Sequence, residues 1–420
     1  MSTKPLSILQ PGTGLFNTHV TLEDVNKAIK EQMSTESELT AESKMEVIGE
    51  GNGFSSCVIL ITCHWTIPSS HLPKKLILKI VSFVHVQGLL NKSNEEGNSV
   101  MSPEEEAHVH AHFEKSCQKG HNLEVEFCEA FGHLEGLLLP KVFFSQKFEE
   151  DNPNKGFVGM EFVEGSVVRH CYENVTVDEL QPILKALARL QALSLSTESC
   201  RNLDNGEAFE ESLMDMLSED GLKGIFDQSR NIDQKLSEKV ERIEQNHKEI
   251  LNLETVLNLN KVVGIDQKVI CHGDLWAANI LWTQTDGGFI ADKVLDYQES
   301  HMGNPAEDLV RLLVSTISGA DRQSHWEHIL EQFYTYFTDE IGSNNAPYTL
   351  EQLKTSFKLY FPVGALTLIS LFGPAVDMKL QGMESGKAEN YRRIVIEKVD
   401  CLLDDVLNFH DFNKKFTGKN

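Results

Sequence analysis

Residues 271 to 283 read CHGDLWAANILWT, which sets one carboxylate, Asp274, five positions before one amide, Asn279. Strand-like apolar runs flank the pair, and buried polar groups in such a setting need either partners or a task. A second carboxylate, Asp296, follows in VLDYQ at the end of the next strand-like run. One carboxylate can orient a hydroxyl nucleophile, while an amide oxygen and a second carboxylate are hard ligands suited to Mg2+. Phosphoryl transfer needs this set, because its transition state carries charge on phosphate oxygens and is stabilised by position and electrostatics.

Further upstream lie residues that could hold the phosphates. Gly49, Gly51 and Gly53 alternate in IGEGNGF, and glycine lets backbone N–H groups approach an anion closely. A dinucleotide fingerprint would continue into a helix, whereas the β-branched run VILIT follows here. A β-hairpin over phosphates fits that order better, although such a turn in isolation is only a turn. Lys79 closes the alternation of LILK and can hold phosphates if a helix carboxylate pairs with it. By itself it reads as a surface or salt-bridged lysine. Glu124 in NLEVEFCEAF is the carboxylate chosen; Glu126 faces elsewhere on a helix, and Glu129 is a third option. A lone D-x-x-x-x-N means little, but the glycine turn, Lys79, Glu124, Asp274/Asn279 and Asp296 in this order mean much more.

The elements that must carry these residues divide the chain. Thr21 precedes LEDVNKAIKEQM, whose apolar spacing predicts a helix, and polar STESELTAES reads as a linker. KMEVIGEGNGFSSCVILITCHW reads as a strand, a glycine-rich turn and a second strand, PKKLILKIVSF as a third strand and FVGMEFVEGS as another ending in a turn, with polar loop over 88–106 and a helix from about His108 to Phe131. Beyond Thr176 the periodicity is mainly helical, interrupted by KVI, NILW and DKVLDY. No internal repeat is visible. An α+β chain in two lobes with a cleft between them follows, with an N-terminal extension at 1–40, a nucleotide-binding lobe at 41–163 and a catalytic lobe at 164–420.

HGDLWAANIL, LDYQ and GNPAEDL together resemble the small-molecule branch of the protein-kinase-like fold, which includes aminoglycoside phosphotransferases and choline kinases. Trp276 and DYQ are most similar to the CHK kinase-like, or ecdysteroid kinase-like, family, over about residues 40–410. The resemblance implies a bilobal fold with a small β-rich N-lobe and a large, mainly helical C-lobe. It implies ATP and Mg2+ as cofactors, Asp274 as catalytic base, Asn279 and Asp296 as metal ligands, and Lys79 paired with Glu124. It further implies an adenine hinge around Met160 to Val163, including Glu161 and Val163, and Asp308 bracing the catalytic loop. Gly273 stands where protein kinases carry the arginine of H-R-D, and eleven residues from Asp296 to Asp308 leave no room for a long activation segment. A small hydroxylated molecule is therefore the expected substrate, capped by a helical insertion at about 201–268.

Composition narrows the alternatives. A net charge of -25 over 420 residues disfavours nucleic acid or an anionic membrane as partner. The apolar run FPVGALTLISLF is too short to span a bilayer and reads as a buried helix. Eight scattered cysteines with no CxxC fit free thiols in a reducing compartment, so cytoplasm is the expected location. Nothing in the sequence marks an oligomeric state. HVHAH reads as a solvated helix start rather than a metal site, His272 as a structural hydrogen-bonding group, and Trp276 as either core or pocket wall. Two rival functions are a catalytically silent nucleotide-binding scaffold and a NAD(P)- or flavin-dependent oxidoreductase, the latter opposed by strand rather than helix after the glycines.

Overall fold

The computed structural model describes residues 7–49, 56–83, 103–197 and 206–417, so Gly51 and Gly53 lie outside the described residues. The chain forms two compact units, Met1–His133 with Leu139–Glu164, and Leu134–Leu138 with Gly165–Asn420.

In the first unit, β1 (Lys44–Val47), β2 (Ser56–Thr62), β3 (Lys75–Val81), β4 (Val142–Gln146) and β5 (Phe157–Glu161) form one sheet. Its order is β1-β2-β3-β5-β4, and every pairing is antiparallel. The alternation of β2 and β3 buries Ile59, Ile61, Leu76 and Leu78, with Ile59 opposite Leu78 and Ile61 opposite Leu76. A period of two places them on one face. The helix Leu22–Gln32 starts on a Thr21–Asp24 capping box and buries Val25, Ala28 and Ile29 in the same apolar cluster. The segment read as an extension thus belongs to the core of this unit.

The next helix, Pro103–Phe131, starts earlier than the expected His108. Proline suits a first helical position. Strand β4 was not anticipated, since only Phe144 along it is fully buried and no alternation marks it. Gly159 on β5 pairs with Phe144, and a Cβ there would lie 2.2 Å from the Phe144 ring.

The second unit is mainly helical. Strands β6 (Ser166–Val168), β8 (Ile280–Thr285) and β9 (Gly288–Val294) form a three-stranded sheet, while β7 (Val269–Cys271) pairs with β10 (His301–Gly303). The three-residue β10 had no periodicity to reveal it. The helix Glu307–Thr316 is buried along nearly all its length and packs against the helix Leu350–Leu366, which holds Pro362 internally. That helix and the turn Ile369–Phe372 absorb the apolar run read as a buried helix. Among the described residues no helix is long and apolar enough to cross a membrane. Between 206 and 268 the chain forms helices from Glu207–Met216 to Leu259–Val263.

A five-stranded antiparallel sheet with a helix between its third and fourth strands, followed by a mainly helical unit, makes this a protein-kinase-like α+β fold. Replacing Ile29, which is fully buried, by alanine should cost about 2–5 kcal/mol. Chemical denaturation of Ile29→Ala checks this, and a loss near zero would mean the N-terminal helix does not stabilise the sheet.

Candidate active site

In the second unit the stretch His272–Asn279 leaves β7 and is held by one face of the helix Glu307–Thr316. Asp308, fully buried, accepts from the backbone N–H of His272 (2.7 Å) and of Gly273 (3.0 Å). Burial pushes its carboxyl up, against which His272 and the two N–H bonds act. One turn on, the Arg311 guanidinium bonds Asp274 Oδ1. Burial opposes the Arg311 charge, and Asp274, Tyr360 and Asp308 together outweigh it, holding the guanidinium above its usual value. One further turn on, Ser315 Oγ accepts from the N–H of Ala277 at 3.1 Å. Positions 308, 311 and 315 share a helix face by their spacing.

The loop is also tied internally. Asn279 Nδ2 donates to the Asp274 carbonyl (2.9 Å) and to Asp274 Oδ2 (3.1 Å), which leaves its Oδ1 as the atom able to face a cation. His272 Nδ1 accepts from the N–H of Asp274 at 3.2 Å, so the proton must sit on Nε2, which donates to the Leu295 carbonyl at 3.0 Å. The Leu295 N–H donates to the Asn279 carbonyl at 2.8 Å. Leu295 is thereby fastened to both ends of the loop, and Asp296 follows directly, with φ at +69°. A non-glycine residue in that region stores strain of about 1–3 kcal/mol, and such outliers cluster at functional sites. Trp276 is half-buried.

Gly273 also has positive φ, +82°, and a Cβ on it would lie 2.1 Å from the Glu299 carbonyl oxygen. Only glycine fits this turn. Glu299 adds a third carboxylate to those of Asp274 and Asp296. Burial, then the charges of Asp274 and Asp296, push its carboxyl up to about 7. The Glu299 carbonyl accepts from His301 Nδ1 (2.8 Å), and His301 Nε2 reaches Glu307 Oε2 (3.0 Å). The carbonyl can only accept, so Nδ1 carries a proton, and an ionised Glu307 favours a second proton on Nε2. Burial opposes a charge on the ring, but Glu307, the Glu299 carbonyl and Asp308 together hold His301 above its ordinary value.

Cys271 lies beside this pair, and the three side chains are near enough to one another to hold a metal ion. Their lone pairs and protons are already committed. The Cys271 thiol donates to the Asn304 carbonyl (3.3 Å), and Glu307 Oε1 accepts from the Asn304 N–H (2.5 Å). This is a closed hydrogen-bond network rather than a metal centre. His301 and Glu307 also line a cavity of about 240 Å3, together with Phe209, Leu213, Leu259 and Tyr360.

In the first unit, Lys79 Nζ contacts both Glu124 oxygens, at 3.0 and 2.7 Å, and both side chains are buried. Glu126 and Glu129 reach Lys147 instead, at 3.6 and 3.3 Å. Gly49, exposed at the end of β1, has φ at +70°. Glu161 closes β5, and its Oε1 accepts from the Lys141 N–H at 2.8 Å. Val163 lies two residues beyond, before the turn at Glu164–Gly165. His110 and His112 of HVHAH are exposed on a helix.

A protein-family model, DUF1679, described as "Uncharacterized oxidoreductase dhs-27", matches residues 8–414. The chain belongs to this CHK-like family. "Uncharacterized oxidoreductase dhs-27" of Caenorhabditis elegans is 23% identical over 326 residues, 76% of this chain and 38% of that protein. "Uncharacterized kinase-like protein D1044.1" of the same organism is 35% identical over 104 residues, 24% of this chain and 27% of that protein. The chain thus matches well under half the length of either relative. Among solved structures, a microcompartment-associated aminopropanol kinase is similar with a TM-score of 0.47 and 12% identity, covering 90% of this chain and 95% of that one. A choline kinase from Cryptosporidium parvum Iowa II has a TM-score of 0.43 and 12% identity, covering 90% of each chain.

Within this DUF1679 chain, reasoning from sequence missed Arg311, Glu299 and His301. Arg311 carried a usable signal, standing three residues after Asp308 and four before Ser315. Glu299 and His301 had none, because their neighbours come from distant segments. The raised Glu299 carboxyl has a checkable consequence. Its folded-state value exceeds the unfolded one, so the folded protein holds the extra proton between about pH 4.5 and 7, and stability falls as pH rises through that window. Glu299→Gln should flatten this stretch of the stability–pH curve measured by chemical denaturation. A curve of unchanged slope would show that Glu299 titrates normally.

Proposed function

We propose that this chain is an ATP- and Mg2+-dependent phosphotransferase that acts on a hydroxyl group of a small molecule. The observation that supports the proposal is the double attachment of Leu295 to His272 and Asn279, which ties the residue before Asp296 to the loop that carries Asp274 and Asn279. Asp274 orients the acceptor hydroxyl and takes its proton. Asn279 and Asp296 fit Mg2+, since both offer hard oxygen atoms. The raised Glu299 carboxyl marks a local excess of negative charge that a divalent cation offsets. When bound, Mg2+ would neutralise phosphate oxygens as charge develops on them. In the first unit, Lys79, oriented by Glu124, offers its ammonium to nucleotide phosphates; Gly49, with Gly51 and Gly53, shapes the phosphate turn, and Glu161 to Val163 supply the adenine hinge.

We assign the acceptor body to the cavity in the helical unit, whose wall includes Phe209 and Leu213 from the 201–268 insertion. Its opposite side is β10, paired to the strand that runs into the Asp274 loop. The word oxidoreductase in the family description belongs to a relative of which this chain matches 38%. In this chain every strand pairing among the described residues is antiparallel. A dinucleotide-binding domain instead needs parallel βαβ units.

Purified protein with Mg2+-ATP should add the mass of one phosphate to an alcohol in a metabolite extract. Asp274→Asn should then lower turnover by about a hundred- to ten-thousand-fold, roughly 3–5 kcal/mol in the barrier, while Mg2+-ATP affinity stays near wild type. Retained turnover would remove Asp274 from the mechanism, and a parallel loss of melting temperature and affinity would make it structural. Calorimetry on Asp296→Ala should show Mg2+-ATP binding weakened more than metal-free ATP binding. Equal losses would count against the assigned metal ligand.

A further inference from the structure

The helix Glu307–Thr316 contacts the loop at three successive turns, and one of the three contacts differs in kind from the other two. Asp308 and Ser315 bond backbone N–H groups, at His272, Gly273 and Ala277. They fix the course of the chain. Arg311 alone reaches a side chain, and that side chain is the Asp274 carboxylate.

The surroundings of Arg311 sharpen this. Its side chain is 13% exposed, and Nε is buried with no protein partner. A buried guanidinium is costly unless paired, and the carboxylate that pairs with it among the described residues is Asp274. A residue serving only to join helix to loop would gain more by spreading its five donors over backbone carbonyls. Arg311 instead directs its charge at one oxygen, Oδ1, while Asn279 Nδ2 binds the other. A carboxylate has about four acceptor positions, two per oxygen. With one on each oxygen occupied by protein donors, the plane of the group is set and the remaining positions face fixed directions.

We propose that Arg311 is a positioning residue for phosphoryl transfer: together with Asn279 it locks the rotation of the Asp274 carboxylate, leaving one defined oxygen edge for the acceptor hydroxyl. This rests on the reading of Asp274 as the group that receives that hydroxyl. The advantage is entropic and geometric. A carboxylate free to rotate about its Cβ–Cγ bond must be ordered in each turnover, whereas a clamped one starts in place, and misplacement of a catalytic group by about 1 Å can cost a hundredfold in rate. Arg311 touches neither nucleotide nor acceptor in this scheme, so its loss should appear in kcat rather than in KM.

Three variants test this: Arg311→Lys, Arg311→Met and Arg311→Ala. Arg311→Met should lower kcat by about ten- to a hundredfold with the KM values for ATP and acceptor within about twofold of wild type. Arg311→Lys, which keeps the charge but loses the planar fork, should recover part of that loss. Added guanidinium chloride at millimolar concentration should raise the rate of Arg311→Ala but not that of wild type. A fall in melting temperature with kcat and KM unchanged in the folded fraction, or no recovery by lysine or guanidinium, would overturn the proposal. Wild-type turnover is measured first, because its absence across the acceptor screen would defeat the phosphotransferase reading itself. The clamp is then read without turnover, through unfolding free energies of Arg311→Met, Asp274→Asn and the double variant. Losses that fail to add show the two side chains acting as a pair, and strict additivity would overturn the clamp whatever the reaction.

Discussion

One buried carboxylate organises the second unit. Asp308 has no access to solvent, and its two oxygens are bonded to two consecutive backbone N–H groups at the exit of β7. Leaving a carboxylate unpartnered in such a place would cost several kcal/mol, so the helix that carries it and the loop that satisfies it must form together. The loop conformation in turn presents Asp274 to Arg311 and Asn279, and brings His272 to Leu295. The acidic group that follows on the chain, from Asp296 to Glu299, takes its place from that last contact.

A second buried charge system lies beside the first and is wired differently. The His301 ring joins the carbonyl of Glu299 to the carboxylate of Glu307, while Glu307 also receives the Asn304 N–H. Glu307 and Asp308 are neighbours in sequence, so one helix start anchors two networks, one toward the loop and one toward the cavity. Phe209, from the helical insertion, stacks on His301 with ring centroids 4.1 Å apart. The wall of that cavity and the turn at Glu299 share the His301 ring as a common contact.

How far the sequence announced all this depends on the range of the interactions. The helix phase that separates Glu124 from Glu126 and the five-residue spacing of Asp274 and Asn279 are local features, readable from neighbouring letters. The broad division into a β-rich and a helical part was equally legible, since β2 and β3 alternate cleanly and the later helices keep their spacing. Strand β4 escaped because Gly159 gives up its side chain to seat Phe144, so burial there follows no period of two. Strand β10 escaped because three residues are too few to show any period. Arg311, Glu299 and His301 owe their environments to contacts with segments far away in the chain, and such environments leave no trace in composition or spacing.

The turn at Gly273 carries a consequence for the ways this chain could be controlled. In relatives of the fold that respond to phosphorylation, the residue at this point is an arginine that grips a phosphate on a distant loop. Here even a methyl group at position 273 would collide with the carbonyl of Glu299, which is itself held by His301. Gaining that arginine would require not one substitution but the relocation of the 299–303 segment and the buried network behind it. Backbone geometry thus keeps position 273 to glycine and closes the chain to an arginine-based grip on a phosphate at this point.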